Sequence, residues 1–202
     1  KIVSRRVGFR FLDTGTMYRA VTWVALQKKI KLENEDKLTQ LTQNLTLRLI
    51  DTENGDRLIA DECDITNQLR DPAVENGVSL VAKVPGVRKA LVQQQRNIAL
   101  SGPIVMVGRD IGTVVLPSAD IKIYLTASIE IRAQRRYEEL QPHGQPVDYS
   151  QIMNEIIRRD NIDSQRTDSP MRPAEDAIVI CTENLGIEEL VDRIIILAKL
   201  DS

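Results

Sequence analysis

The sequence predicts an α/β fold with a parallel sheet covered by helices on both faces, and three observations carry that prediction. Four short apolar runs rich in β-formers recur, at 9–12, 104–107, 121–125 and 177–181. The last three lack polar alternation, as expected of strands buried on both faces. Stretches with helical apolar spacing lie between the runs, at 16–27, 74–100, 128–140, 149–160 and 187–200. Strands that alternate with helices pair parallel, and ligands of such sheets lie beyond the carboxyl ends of the strands.

Taken in order, the chain opens Lys1-Ile2-Val3-Ser4-Arg5-Arg6, with no initiator Met and no leader-like apolar run. It reads as an opening in mid-helix, and the expectation is that something precedes residue 1. The run at 9–12 ends in Asp13-Thr14-Gly15, where Asp13 or Thr14 can cap the helix that follows. The stretch 45–65 differs: two β-like runs flank a segment containing Asn54-Gly55, a strong hairpin signal. An antiparallel hairpin within a parallel α/β chain predicts an inserted subdomain at 37–72. A long helix is predicted over 74–100. The strand at 104–107 ends in Gly108-Arg109-Asp110, and that at 121–125 in Thr126-Ala127-Ser128. Residues 141–148, Gln-Pro-His-Gly-Gln-Pro-Val-Asp, form a turn-rich break between two helices. No internal repeat or low-complexity tract interrupts this order.

Composition bounds the function. With 202 residues, 42% hydrophobic, the chain suits one domain with a packed core. No run of about 18 apolar residues is present to span a membrane. Lys and Arg number 27 against 29 Asp and Glu, a net charge of −2, which argues against a protein held to nucleic acid by bulk charge. Aromatic residues are only 3%, with no basic–aromatic strand pattern for RNA. Cys63 and Cys181 are far apart and read as reduced structural thiols of a cytoplasmic protein. A single histidine, His143, and no cysteine cluster leave no zinc-type site. His143, between Pro142 and Gly144, reads as an exposed loop residue and Trp23 as helix core. Thr167, Asp168 and Ser169 form a polar linker with no assignable role.

Arginines paired with carboxylates at strand ends and on the later helices are the most informative residues. After Asp13-Thr14-Gly15 the helix carries Arg19, which would lie near backbone N–H groups suited to an anion. An ordinary capped junction with a solvated arginine is an equal reading. In Gly108-Arg109-Asp110-Ile111-Gly112-Thr113 the glycines allow close backbone approach to a ligand. Arg109 offers a bidentate fork for phosphate, and Asp110 an acceptor for an amino group or a metal-bound water. The plain alternative is a tight turn with an internal Arg–Asp pair. Arg132, Arg135 and Arg136 share the helix after Ser128, with Arg132 and Arg136 on one face. Arg158, Arg159, Asp160, Asp163 and Arg166 follow the turn-rich segment. Each arginine alone is best read as part of a solvated helix face. Together they read as two basic helices joined by a tip, a lid over a small molecule with several phosphates.

These residues, in this order, resemble the bacterial cytidylate kinases, a family of nucleoside monophosphate kinases. The resemblance rests on Phe11-Leu12-Asp13-Thr14-Gly15-Thr16-Met17-Tyr18-Arg19, Pro85-Gly86-Val87-Arg88, Gly108-Arg109-Asp110-Ile111-Gly112-Thr113-Val114-Val115 and Arg159…Asp163…Arg166. It runs from residue 9 to residue 200. It implies a P-loop kinase-type three-layer sheet, one domain over 1–202. The core would be 1–36, 73–131 and 167–202, the nucleoside-monophosphate-binding insert 37–72 and the helical lid 132–166. It implies transfer of the ATP γ-phosphoryl group to CMP or dCMP with Mg²⁺, by a monomer with no nucleic-acid or membrane partner. By position, Thr14 stands near the acceptor nucleotide, and Arg19, Arg109 and Arg166 hold the CMP phosphate. Ser79, Arg88 and Asp110 recognise the cytosine edge, and Arg159 and Asp163 stand near the sugar. Arg132 and Arg136 are lid candidates for the ATP phosphates, and with Arg109 and Arg166 they would neutralise charge during transfer.

The sequence departs from the family in one respect. Such kinases carry Gly-x-x-x-x-Gly-Lys-[Ser/Thr], whose amides and lysine cradle the donor phosphates. None of the ten glycines here is followed by lysine. The first sheet strand, which precedes that loop, is missing as well, so the four strands would be four of five. The expectation is a sequence that starts after the P-loop, with Val7-Gly8 marking an omitted stretch. The alternatives are a nucleotide-binding module without transfer activity, and a kinase for another small acceptor such as UMP or shikimate.

Overall fold

Parallel pairing occurs twice in the computed structural model, which describes residues 1–50, 57–141, 148–166 and 168–199. The chain runs through α1 (Ile2–Arg6), β1 (Arg10–Asp13), α2 (Thr14–Gln27), α3 (Glu35–Asn44), β2 (Leu47–Ile50), β3 (Arg57–Ala60), β4 (Cys63–Asp64), α4 (Pro72–Ala82) and α5 (Pro85–Ala99). It continues with β5 (Ile104–Val107), β6 (Ile123–Thr126), α6 (Ile129–Leu140), α7 (Tyr149–Ser164), β7 (Ile178–Cys181) and α8 (Ile187–Ala198). Residues divide into two compact units, Phe9–Ile111 and Lys1–Gly8 with Gly112–Ser202. Among the described residues no helix is long and apolar enough to cross a membrane.

In the Phe9–Ile111 unit, β1 pairs parallel with β5, from Arg10 opposite Ile104 to Asp13 opposite Val107. Arg10 ties the start of β1 to the end of α5, donating to the Ile98 carbonyl at 3.0 Å and the Gly102 carbonyl at 2.7 Å. Asp13 ends the strand and caps α2, its Oδ1 accepting from the Gly15 N–H at 2.8 Å. That bond satisfies one of the unpaired donors of the first turn. Leu12, Met17, Val21, Leu38, Val87 and Leu91 lie in one buried cluster that draws on β1, α2, α3 and α5.

The predicted helix over 74–100 is two helices. Pro85 cannot donate a backbone hydrogen bond and disfavours helical backbone at the residue before it. Val84 is accordingly extended (φ −71°, ψ 116°), and α5 starts with Pro85 in its first turn. Asp71 caps α4 by accepting from the Ala73 N–H at 2.8 Å, with Pro72 in the first turn. Gly86 lets α5 approach α3 closely, since a Cβ there would run into the Thr39 side chain.

The predicted hairpin is present as antiparallel β2 and β3, with Ile50 opposite Arg57, and β4 adds a third strand. Asn54-Gly55 lies outside the described residues. Asp64 fixes the chain after β4: its carboxylate accepts from the Thr66 hydroxyl and backbone N–H and from Arg57. Led by the Thr66 hydroxyl, these bonds lower its pKa from 3.8 to about 2.

In the second unit, β6 pairs parallel with β7, from Ile123 opposite Ile178 to Thr126 opposite Cys181. Helices α6 and α7 pack on each other, with the Tyr137 and Tyr149 rings edge to face at 6.1 Å. The Tyr149 hydroxyl donates to the Glu130 carbonyl at 3.3 Å. Arg6 of α1 pairs with Glu188 and Asp192 of α8.

The strands are not buried on both faces as their apolar runs predict. Leu125 is 50% exposed and Val179 55%, and Val107 and Ile178 also meet solvent. Among the described residues each parallel pair has no third strand. A two-stranded pair covers less of its own side chains than a wider sheet would. Cys63 and Cys181 are free and exposed rather than packed thiols. Trp23 packs partly buried against the core cluster, as expected. His143 and Thr167 lie outside the described residues.

Candidate active site

The Phe9–Ile111 unit holds Thr14, Arg19, Ser79, Arg88, Arg109 and Asp110. Thr14 is the first residue of α2, and its hydroxyl donates to the Val107 carbonyl at 3.0 Å. This bond fastens the start of α2 to the last residue of β5, just before Gly108-Arg109-Asp110. A Cβ at Gly108 would collide with Thr14 Oγ1 and the Ile111 side chain, so only glycine permits the approach. Arg19, one turn into α2, brings Nη1 to 3.6 Å from where a Gly15 Cβ would stand.

Asp110 is 7% exposed and forms an ion pair with Arg88, itself 3% exposed. The pair joins the end of β5 to α5. Arg88 Nη1 also donates to the Ala82 carbonyl at 3.2 Å, which joins it to the end of α4. Ser79 is buried on the same helix, one turn earlier. Burying a guanidinium and a carboxylate costs several kcal/mol unless they are paired and hydrogen-bonded. An Arg–Asp pair is thus present here, and it links Asp110 to Arg88 on another element. Arg109 is half-buried beside it.

The second unit holds Arg132, Arg136, Arg159, Asp163 and Arg166. Asp163 is buried near the end of α7, and its carboxylate lies 3.3 Å from Arg166 Nη2. Arg166 Nε and the Met171 N–H both donate to the Asp163 carbonyl, at 3.4 and 2.8 Å. Arg159 is half-buried on α7, four residues before Asp163. Arg132 Nη1 pairs with Asp160 Oδ2 at 2.6 Å and bridges α6 to α7. Arg136 pairs with Glu139 at 2.8 Å on its own helix. Arg135 turns the other way, donating to the Thr182 hydroxyl at 3.0 Å and to the Thr182 carbonyl, so it is a tie between α6 and the end of β7.

Two contributors were not legible in the chain. The Tyr18 ring lies 5.8 Å from Arg88 Cζ. The i, i+4 spacing of Thr14 and Tyr18 on α2 is the signal that could have placed both on one face. Asp160 as the partner of Arg132 has no comparable signal, because it depends on how α6 meets α7.

A buried, ion-paired fork beside a glycine-opened arginine loop can grip a planar polar edge and an anion together. The fold that carries it is mixed α/β with parallel strand pairs and helices. The family profile described as cytidylate kinase matches residues 1–200. The chain is 49% identical over 194 residues to the cytidylate kinase of Geobacillus sp. (strain WCH70), an overlap of 96% of this chain and 87% of that protein. It is 44% identical over 195 residues to the cytidylate kinase of Bacillus subtilis (strain 168), with the same coverage. Identity to the cytidylate kinase of Exiguobacterium sp. (strain ATCC BAA-1283 / AT1b) is 46% over 194 residues. The chain belongs to the cytidylate kinase family.

Proposed function

We infer that this protein is a phosphotransferase that moves the γ-phosphoryl group of ATP onto the phosphate of CMP or dCMP. A bond forms between an acceptor phosphate oxygen and the γ-phosphorus, the bridging bond to ADP breaks, and CDP or dCDP leaves. The observation that carries this reading is the buried Arg88–Asp110 pair beside Gly108-Arg109, in a chain whose relatives are cytidylate kinases. Asp110 accepts from the exocyclic amine of cytosine, while Arg88 and Ser79 offer donors to the ring acceptors. Uracil presents a carbonyl where cytosine presents its amine, so a carboxylate there faces another acceptor.

Arg19, Arg109 and Arg166 are assigned to the acceptor phosphate, Arg159 and Asp163 to the sugar, and Thr14 to the acceptor side. Arg132 and Arg136 are assigned to the donor phosphates, exchanging their carboxylate partners for phosphate. Residues 37–72 serve as the monophosphate-binding insert and 132–166 as the lid, the remainder forming the core of one kinase domain. No side chain need act as a strong base, because phosphoryl transfer is mainly positioning and charge neutralisation. Mg²⁺ is proposed as the counter-ion of ATP. Among the described residues no group of three His, Cys, Asp or Glu side chains could hold a metal, so no residue is assigned to it and no step runs through it. The protein is proposed to act as a cytoplasmic monomer.

A coupled ADP-release assay across acceptors tests the reading. CMP and dCMP should turn over well above UMP and shikimate. Calorimetry showing CMP binding with no turnover would instead make the chain a nucleotide-binding module.

A further inference from the structure

We propose that Tyr18 is a positioning residue for base recognition: the Arg88 guanidinium carbon stands over its ring, which helps hold the fork with which Arg88 and Asp110 meet a pyrimidine. The inference rests on the site reading proposed above. Arg88 Cζ stands 5.8 Å from the centroid of the Tyr18 ring, a distance at which an aromatic face attracts a guanidinium. Tyr18 is 8% exposed and Arg88 is more deeply buried, so water screens this attraction little.

Among the described residues the guanidinium is anchored by Asp110 on Nη2 and by the Ala82 carbonyl on Nη1, and its Nε has no hydrogen-bond partner there. The N–H bonds of a guanidinium lie in its plane. Both anchors therefore fix where the fork sits within that plane and resist tilting out of it only weakly. The Tyr18 ring beneath Cζ is a further contact, and it opposes rotation about the line through the two anchors. Telling cytosine from uracil depends on donor and acceptor directions along one base edge, and hydrogen bonds weaken steeply as their angle closes. A tilted fork would still hold a pyrimidine but would distinguish the two bases less.

Tyr18 is itself held firmly. It lies four residues after Thr14 on α2, and Thr14 is bonded to the Val107 carbonyl. The Tyr18 carbonyl accepts from the Thr22 hydroxyl at 2.8 Å. One face of α2 thus pins both the loop that carries Asp110 and the plane of its partner Arg88.

The test is calorimetric titration of CMP and of UMP into the wild-type chain and into Tyr18→Phe, Tyr18→Leu and Tyr18→Met. Tyr18→Leu should lower the CMP-over-UMP affinity ratio about tenfold. Tyr18→Phe, which keeps the ring, should hold the ratio within about twofold. General loosening of the core would weaken both nucleotides alike and leave the ratio unmoved. Circular dichroism and thermal unfolding establish that each variant folds, and Tyr18→Met is the second ringless variant should leucine fail. An unchanged ratio in a folded ringless variant overturns the inference and leaves the site reading standing. So does a loss of discrimination in Tyr18→Phe as large as that in the ringless forms. A wild-type chain that binds neither nucleotide removes the site reading, and this inference falls with it.

Discussion

Asp110 is buried against Arg88, so what it presents to a ligand is set by a partner 22 residues away. Replacing it with asparagine turns one of its two acceptors into a donor. Asp110→Asn should weaken CMP binding about 10- to 100-fold, the range for a hydrogen bond to a charged group, and narrow the gap to UMP. Titration of both nucleotides checks it, and an unaltered preference for CMP would remove Asp110 from base recognition. Arg109 is half-buried next to this pair. Arg109→Ala should reduce turnover by orders of magnitude and weaken CMP about 10- to 100-fold, without moving the unfolding midpoint. Cytidine, which has no phosphate, should bind the variant as well as the wild type. Equal losses for cytidine and CMP would argue that Arg109 supports the fold instead.

At the scale of elements, the site depends on how α2, α4 and α5 meet the end of β5. Thr14 fastens α2 to β5, Arg88 reaches from α5 to Asp110 and to the last residue of α4, and Gly108 leaves room for Thr14 and Ile111. Gly108→Ala would push a methyl group into Thr14 and Ile111, costing about 1–3 kcal/mol as overpacking. Arg88→Met should cost more, about 3–5 kcal/mol, because it strands a buried carboxylate. Urea unfolding of the two variants measures both, and an Arg88→Met loss below that of Gly108→Ala would show that Asp110 is adequately solvated. Apolar spacing runs unbroken through 74–100, whereas Pro85 divides it and brings the Ala82 carbonyl within reach of Arg88.

Across the whole molecule, the acid limb of stability should bear the mark of Asp64 and Asp176. Thr66 and Arg57 lower the pKa of Asp64 to about 2, and Lys122 lowers that of Asp176. A carboxylate whose folded pKa is depressed adds stability that is present above its unfolded value and lost as pH falls through the folded one. Stability should therefore fall between about pH 4 and pH 2, followed by thermal unfolding across that range. Asp64→Asn should flatten part of the fall, and an identical acid profile would show that the Thr66 and Arg57 contacts do not persist in solution. Each parallel sheet has two strands among the described residues. Leu125 and Val179 are apolar in the sequence yet half exposed, since burial depends on neighbours a strand does not carry within itself.

Strand–helix alternation, the antiparallel hairpin, the motifs that mark the family and the set of arginines available for phosphate are all legible along the chain. Those are local properties, written in spacing, capping and turn chemistry. Only the tertiary structure decided which charge meets which. Asp110 pairs with Arg88 on α5, Arg132 with Asp160 on α7, and Arg135 ties α6 to Thr182. Tyr18, silent within its motif, turns out to cover Arg88. Ion pairs and ring contacts of this kind join residues far apart in the chain. They form where packed helices and strand ends bring side chains within a few ångströms, a distance that spacing along the sequence does not encode.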